Sequence, residues 1–368
     1  MQDTDYSVAK KYSSIKYNFA IFEMCFTFIL LLIIQFSGLS HTFRSFAAFF
    51  SSKEIVIIAI YAIVLGGFTS IFTVWLDYFS GHRLEHKFGL SCQNLSSWIK
   101  DYLKKAVMGG IFYIIIIQAL YFFLRRFPST WWVWTAFFYL FFSLLIARIF
   151  PVFIIPLFYK LEKLKDEGLK DKLLALAKKT GIRVLDIYRI GLSSKTKKAN
   201  AALAGIGSSK RILLSDTLLD NYSSEEIEAT LAHELAHYKY RHIWKLILIN
   251  FITTVVTFLF IYILFNYMLT SMLELTLSDI RAFPMLVFIF MFFNIAITPL
   301  LNAVSRRFEL QADAEAIRLT KNPEAFISLM EKLSKQNLSD PDPSKAVEAF
   351  FYNHPPVPKR IKAAKALG

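Results

Sequence analysis

The chain has 368 residues, 55% of them hydrophobic and 37 of them phenylalanine, and its mean hydropathy is +0.44. This composition excludes an ordinary soluble domain. The net charge of +14 would suit nucleic acid, but it gathers in segments that flank long apolar stretches, where membrane orientation already explains it, so no nucleic-acid partner is expected.

Six stretches supply the ~20 apolar residues a helix needs to cross a bilayer: 17–39, 55–76, 106–124, 131–153, 243–269 and 283–301. The first is too long for a signal-peptide core, and no small-residue cleavage site follows it, so it is expected to stay. The loops 40–54, 125–130 and 270–282 carry two, two and one Lys or Arg. The N-terminus, the 78–105 loop, the 158–242 segment and the tail hold the rest. Six spans with both termini in the cytosol satisfy that asymmetry.

The predicted organisation is a membrane domain over 1–157 with four spans and an interfacial loop at 79–105, a cytosolic insert at 158–242, two further spans within 243–305, and a C-terminal segment at 306–368. Within the insert, 161–180 reads as a lysine-rich amphipathic helix ended by Gly181. Residues 183–190 alternate as a strand does, and 200–205 and 211–215 read as two more strands around a Gly207, Ser208, Ser209 turn. Ser223 with Glu226 three residues on forms a capping box that starts the next helix.

That helix carries His233, Glu234, Leu235, Ala236 and His237, an HExxH pattern. Residues four apart share a helix face, so two imidazoles can reach one cation with Glu234 beside them as the base that activates water. Alone, the pattern also arises by chance in unrelated helices. A catalytic zinc takes three protein ligands and keeps one open position. With only two cysteines, Cys25 and Cys92, the ligands must be histidine and carboxylate. Glu309, just past the sixth span, is the candidate third ligand, and Asp313 one turn on is set to accept the free ring N–H of a ligand histidine. A solvated acidic helix face is the competing explanation, outweighed once the pair is set beside HExxH. One Zn2+ per chain is expected.

Near the C-terminus, His354 and Arg360 flank a proline-stiffened run. An imidazole there can steady an oxyanion and the guanidinium can bind a carboxylate, although a stiffened end to a soluble tail is the commoner explanation of such spacing. His242, five residues past His237, falls off the HExxH face and is read as an interfacial residue.

From about Tyr78 onward the chain resembles the type I CAAX prenyl endopeptidases, membrane zinc metalloproteases of the gluzincin group. The blocks that carry the resemblance are HRLEHKFGLSCQNLSSWIKDYLKK, KANAALAGIGSSKRILLSDTLL, EEIEATLAHELAHYKYRH, SRRFELQADAEA and NHPPVPKR, in that order. The resemblance implies His233, His237 and Glu309 as zinc ligands, Glu234 as catalytic base and Asp313 behind the ligands. It implies catalytic and substrate-contact roles for His354 and Arg360, and a place for Asn200 on the edge strand along which substrate aligns. It further implies a mostly α, polytopic membrane bundle enclosing a chamber, with a small α+β gluzincin domain inserted at its cytosolic side. The implied reaction removes the last three residues of isoprenylated proteins, so prenylated or other hydrophobic C-terminal peptides are the expected substrates and the lipid bilayer the expected surroundings. The membrane would be the bacterial inner membrane or the endoplasmic reticulum, depending on the source. The eukaryotic members are described with seven spans where this sequence offers six, which leaves 42–51 as a partial or re-entrant remnant. The rival readings are a general quality-control protease of the HtpX type and a non-catalytic transporter or scaffold.

Overall fold

Inside a bilayer every backbone N–H and C=O must be satisfied within its own segment, so apolar stretches of this length fold as helices. The computed structural model describes residues 3–182, 184, 186–204 and 210–367. It contains six helices long and apolar enough to cross: Tyr6–Phe36, Glu54–Lys87, Leu95–Arg126, Trp131–Phe158, His242–Leu273 and Ile280–Thr320. The six expected spans are all there, most of them extending well past the apolar windows.

In chain order the membrane part holds α1 (Asp3–Phe36), α2 (Leu39–Phe50), α3 (Glu54–Tyr78), α4 (Leu84–Lys87), α5 (Leu95–Arg126), α6 (Trp131–Ile149) and α7 (Ile155–Phe158). The insert follows with β1 (Leu161–Lys163), α8 (Glu167–Lys179), β2 (Asp186–Ile190), β3 (Ala201–Ala204), β4 (Arg211–Ser215), α9 (Asp216–Asn221) and α10 (Ser224–Lys239). The chain then re-enters the membrane as α11 (His242–Met268) and α12 (Phe283–Thr320) and ends in α13 (Pro323–Gln336), α14 (Lys345–Phe351) and α15 (Val357–Lys365).

The remnant expected at 42–51 is α2. Its 12 residues span about 18 Å, short of the ~30 Å hydrocarbon core. Ser40, Phe43 and Ala47 are buried while Phe46, Phe49 and Phe50 are exposed, and the Ser40 hydroxyl lies 2.7 Å from both the Tyr61 hydroxyl and the Arg281 carbonyl. It lies against one end of the bundle and does not cross it. The 79–105 loop is also more helical than expected, because Asn94 caps Ser97 N–H at 2.8 Å and starts α5 well before the apolar window.

The spans α1, α3, α5, α6, α11 and α12 contact one another in that cyclic order, α12 returning to α1. Their most apolar windows are only 11% to 28% buried within the chain. The ring is packed at one end and open at the other. Ile34, Tyr61, Tyr121, Trp131, Phe265 and Ile280 cluster at the α2 end. At the other end a cavity of about 970 Å³ opens between helices, with Glu23, Asp77, Tyr102 and Lys105 on its wall.

The insert is built on a four-stranded sheet of order β1-β2-β4-β3, with β2 and β4 parallel and both outer pairs antiparallel. Residues 161–163, expected to begin a helix, are β1, because Leu161 pairs with Ile190. Partner strands override the local helical pattern there. The helix starts instead at Asp166, whose side chain accepts Leu169 N–H, and it ends before Gly181 at φ 72°. Arg183, Leu185, Gly205 and the Gly207, Ser208, Ser209 turn lie outside the described residues. The insert shares its core with the C-terminal segment: Leu173, Ile212, Leu231, Leu235, Ala316 and Phe326 pack together. At 38 residues α12 is about 57 Å long. Its first half is a span and its second half a strut of the inserted domain.

Candidate metal centre

Helix α10 is fixed at its start. Ser223 Oγ accepts Glu226 N–H at 3.3 Å and Glu226 Oε2 accepts Ser223 N–H at 2.8 Å. The Glu226 carboxylate is held in turn by Ser328 at 2.7 Å and Lys332 at 2.8 Å on α13. The register of α10 is thereby set, and His233 and His237 face the second half of α12.

There the three candidate ligands converge. His233 Nε2 and His237 Nε2 are 3.2 Å apart, Glu309 Oε2 is 3.2 Å from the first and Oε1 is 3.4 Å from the second. Ligands held at about 2.0–2.1 Å around a tetrahedral cation sit roughly 3.3–3.4 Å apart. One ligand atom from each residue lies within 4.8 Å of the others, and these residues form a group that can hold a metal ion. Spacing and chemistry both fit a small divalent cation.

Asp313 Oδ1 lies 2.9 Å from His233 Nδ1. Arg360 grips the same carboxylate in two bonds, Nε to Oδ2 at 2.8 Å and Nη2 to Oδ1 at 2.5 Å. Expected to meet a substrate carboxylate, the Arg360 guanidinium is instead engaged with Asp313 and largely buried. His354 stands half exposed at the mouth of the site with Nδ1 2.6 Å from Glu309 Oε2. Burial opposes charge on His233, but Asp313 and Glu309 overcome it and raise its pKa to about 9, whereas burial and the neighbouring His233 lower His237 to about 4. Burial, with Glu309 nearby, also pushes the Glu234 carboxyl up.

Glu234 accepts a hydrogen bond from the backbone of Leu203 on β3. That strand is the sheet's edge, pairing only with β4 among the described residues. Asn200 precedes it, its backbone N–H donating to Ser215 Oγ at 3.0 Å and its carbonyl accepting from Ser215 N–H at 3.0 Å. The outer edge of β3 therefore runs alongside the HExxH helix, with the Leu203 carbonyl accepting from the Tyr238 hydroxyl at 3.4 Å.

His242 corrects the sequence reading. It is fully buried, its Nδ1 lies 3.1 Å from His237 Nδ1, and its Nε2 lies 3.0 Å from Gln311 Oε1. Counting faces along one continuous helix put it out of reach. The helix is broken at Arg241, which takes a left-handed φ of 56° and turns the chain back toward the site. Gln311 had no sequence signal beyond lying between Glu309 and Asp313.

Residues 163–367 match the description of peptidase family M48, and residues 1–160 match that of a CAAX prenyl protease N-terminal region with five membrane helices. Over 1–160 this chain has four spans and the short α2. The chain is 30% identical to the uncharacterized metalloprotease YhfN of Bacillus subtilis, over 99% of this chain and 86% of that protein. It is 31% identical to CAAX prenyl protease 1 of Saccharomyces cerevisiae, over 82% of this chain and 70% of that one. The crystal structure of S. mikatae Ste24p superposes with a TM-score of 0.87 at 24% identity, covering 99% of this chain and 90% of that chain.

Proposed function

The chain belongs to peptidase family M48, and on that premise we propose that it is a zinc endopeptidase that removes the C-terminal tripeptide of isoprenylated proteins or peptides at the membrane. It is an integral, multi-pass metallopeptidase. The observation that carries it is the convergence of His233, His237 and Glu309 at 3.2–3.4 Å beside a part-buried glutamate.

His233, His237 and Glu309 hold the ion. Zinc, when bound, supplies Lewis-acid polarisation of the scissile carbonyl and acidifies the attacking water. Glu234 takes the proton as the water oxygen bonds to the carbonyl carbon, then delivers it to the departing amide nitrogen as the C–N bond breaks. Its raised pKa suits a group that must both accept and return a proton. His354, within reach of Glu309 at the mouth, donates to the developing oxyanion.

Arg360 acts mainly by holding Asp313, which fixes His233; the edge of β3 past Asn200 takes the substrate backbone by strand addition, which asks little of its side chains. The cavity among the spans, whose wall carries Phe19, Met108, Phe150 and Ile154 beside Glu23 and Asp77, is the space that would take a lipidated tail. The distribution of Lys and Arg supports the division into a membrane domain, a catalytic insert and a catalytic tail, with the site on the cytosolic side. The purified full chain, given a farnesylated peptide, should release a product lighter by its last three residues in a mass spectrum. A product cut elsewhere, or an intact peptide, would overturn the reading.

A further inference from the structure

Each of the two candidate ligand histidines has a ring nitrogen facing away from the metal position, and the structure gives the two nitrogens different partners. His233 meets a carboxylate, Asp313. His237 meets a second histidine, His242, which the sequence reading took as interfacial. With Nε2 of His237 turned to the ion, a neutral imidazole must carry its proton on Nδ1. That N–H faces His242 Nδ1 at 3.1 Å, which must then accept, so the His242 proton sits on Nε2, where Gln311 Oε1 accepts it at 3.0 Å. One direction of donation satisfies every atom in the chain: His237 to His242 to Gln311.

The relay is also held in place. The His242 ring stacks on Phe308 with centroids 4.4 Å apart and planes 4° from parallel, and no part of it is exposed. It sits at the first position of α11, so the left-handed turn at Arg241 that starts the span also delivers the ring to the site. Phe308 and Gln311 flank Glu309 on α12. Helix α12, which supplies Glu309, therefore also supplies the far end of the relay, and α11 supplies its middle.

We propose that His242, backed by Gln311, is a positioning residue that fixes the tautomer and ring plane of His237 and so sets the affinity of the centre for its metal. The effect runs through a neutral acceptor, unlike the anionic support Asp313 gives His233. This rests on the proposal that His233, His237 and Glu309 bind zinc.

The test is zinc affinity of the detergent-purified full chain, measured by competition with a chromophoric chelator. His242→Phe keeps a flat ring against Phe308 and loses the acceptor. His242→Asn keeps an acceptor oxygen near the position of Nδ1. We expect roughly 10- to 100-fold weaker zinc binding for H242F and recovery of most of that loss in H242N, with the two metal-free variants unfolding at the same temperature. Unchanged affinity in H242F would overturn the inference, and so would equal weakening in both variants, since packing and not the hydrogen bond would then be responsible. If the wild-type chain itself binds no zinc, the metal-site proposal has failed and not this one.

Discussion

A buried carboxylate beside two imidazoles costs free energy unless it has work or a partner. Glu309 has its partners in the cation position and His354, and Asp313 has His233 and Arg360. Glu234 accepts the Leu203 backbone N–H and burial raises its pKa, the condition of a group able to take up and return a proton. Glu234→Gln should therefore keep the metal while hydrolysis falls by at least ~10²-fold; metal content and turnover measured on one preparation check it. Asp313→Asn should behave differently, weakening metal binding roughly 10- to 100-fold, because it loosens His233 and strands the buried Arg360. At this scale the sequence was legible where one helix carried both members of a pair: His233 and His237 lie one turn apart on α10, and Glu309 and Asp313 one turn apart on α12. His242 was not, because the left-handed Arg241 breaks the periodicity on which the reasoning ran. Nor was the Arg360–Asp313 pair, since nothing local says which carboxylate a distant guanidinium will meet.

Helix α10 owes its position to its first turn. Ser223→Ala should lower the stability of the inserted domain by about 1 kcal/mol, read as a lower unfolding midpoint in denaturant, and Glu226→Ala should cost more because it also frees Ser328 and Lys332 on α13. Asp216, at the start of α9, binds the turn after β2 through Leu192 N–H and Ser193 N–H, each at 2.9 Å, and the Ser193 hydroxyl at 2.6 Å. Burial would raise its pKa, but these donors overcome it and hold the carboxyl below the ordinary value. A depressed pKa means that the stabilisation is fully present above the ordinary carboxylate value of about 3.9 and is lost as pH falls through the folded value. Asp216→Asn should thus destabilise the domain at neutral pH and matter progressively less below about pH 4, as unfolding against pH for both proteins would reveal. Capping residues and strand alternation made α8, β2, β4 and α10 readable, whereas β1 depends on a partner strand well over twenty residues away.

The six spans close a ring that is packed at the α2 end and open toward the inserted domain, and α12 joins the two parts as one continuous helix. Hydropathy alone gave the number of spans. It gave neither the cyclic order nor the fate of 42–51, which depend on which apolar faces find each other. Cys92 lies exposed on the side of the inserted domain, while Cys25 lies within the first span. If that domain is cytosolic, a membrane-impermeant maleimide should label Cys92 in inverted vesicles and leave it unlabelled in sealed right-side-out ones; the opposite pattern would reverse the orientation.

The most direct measurement is cleavage of a farnesylated CAAX peptide and its non-prenylated twin by the purified full chain, each with and without a metal chelator. A zinc site on a bundle of membrane spans with a cavity between its helices predicts cleavage of the prenylated peptide alone, abolished by the chelator and restored by zinc. Equal cleavage of both peptides would contradict it in favour of a general membrane protease, and cleavage indifferent to the chelator would contradict the metal chemistry itself.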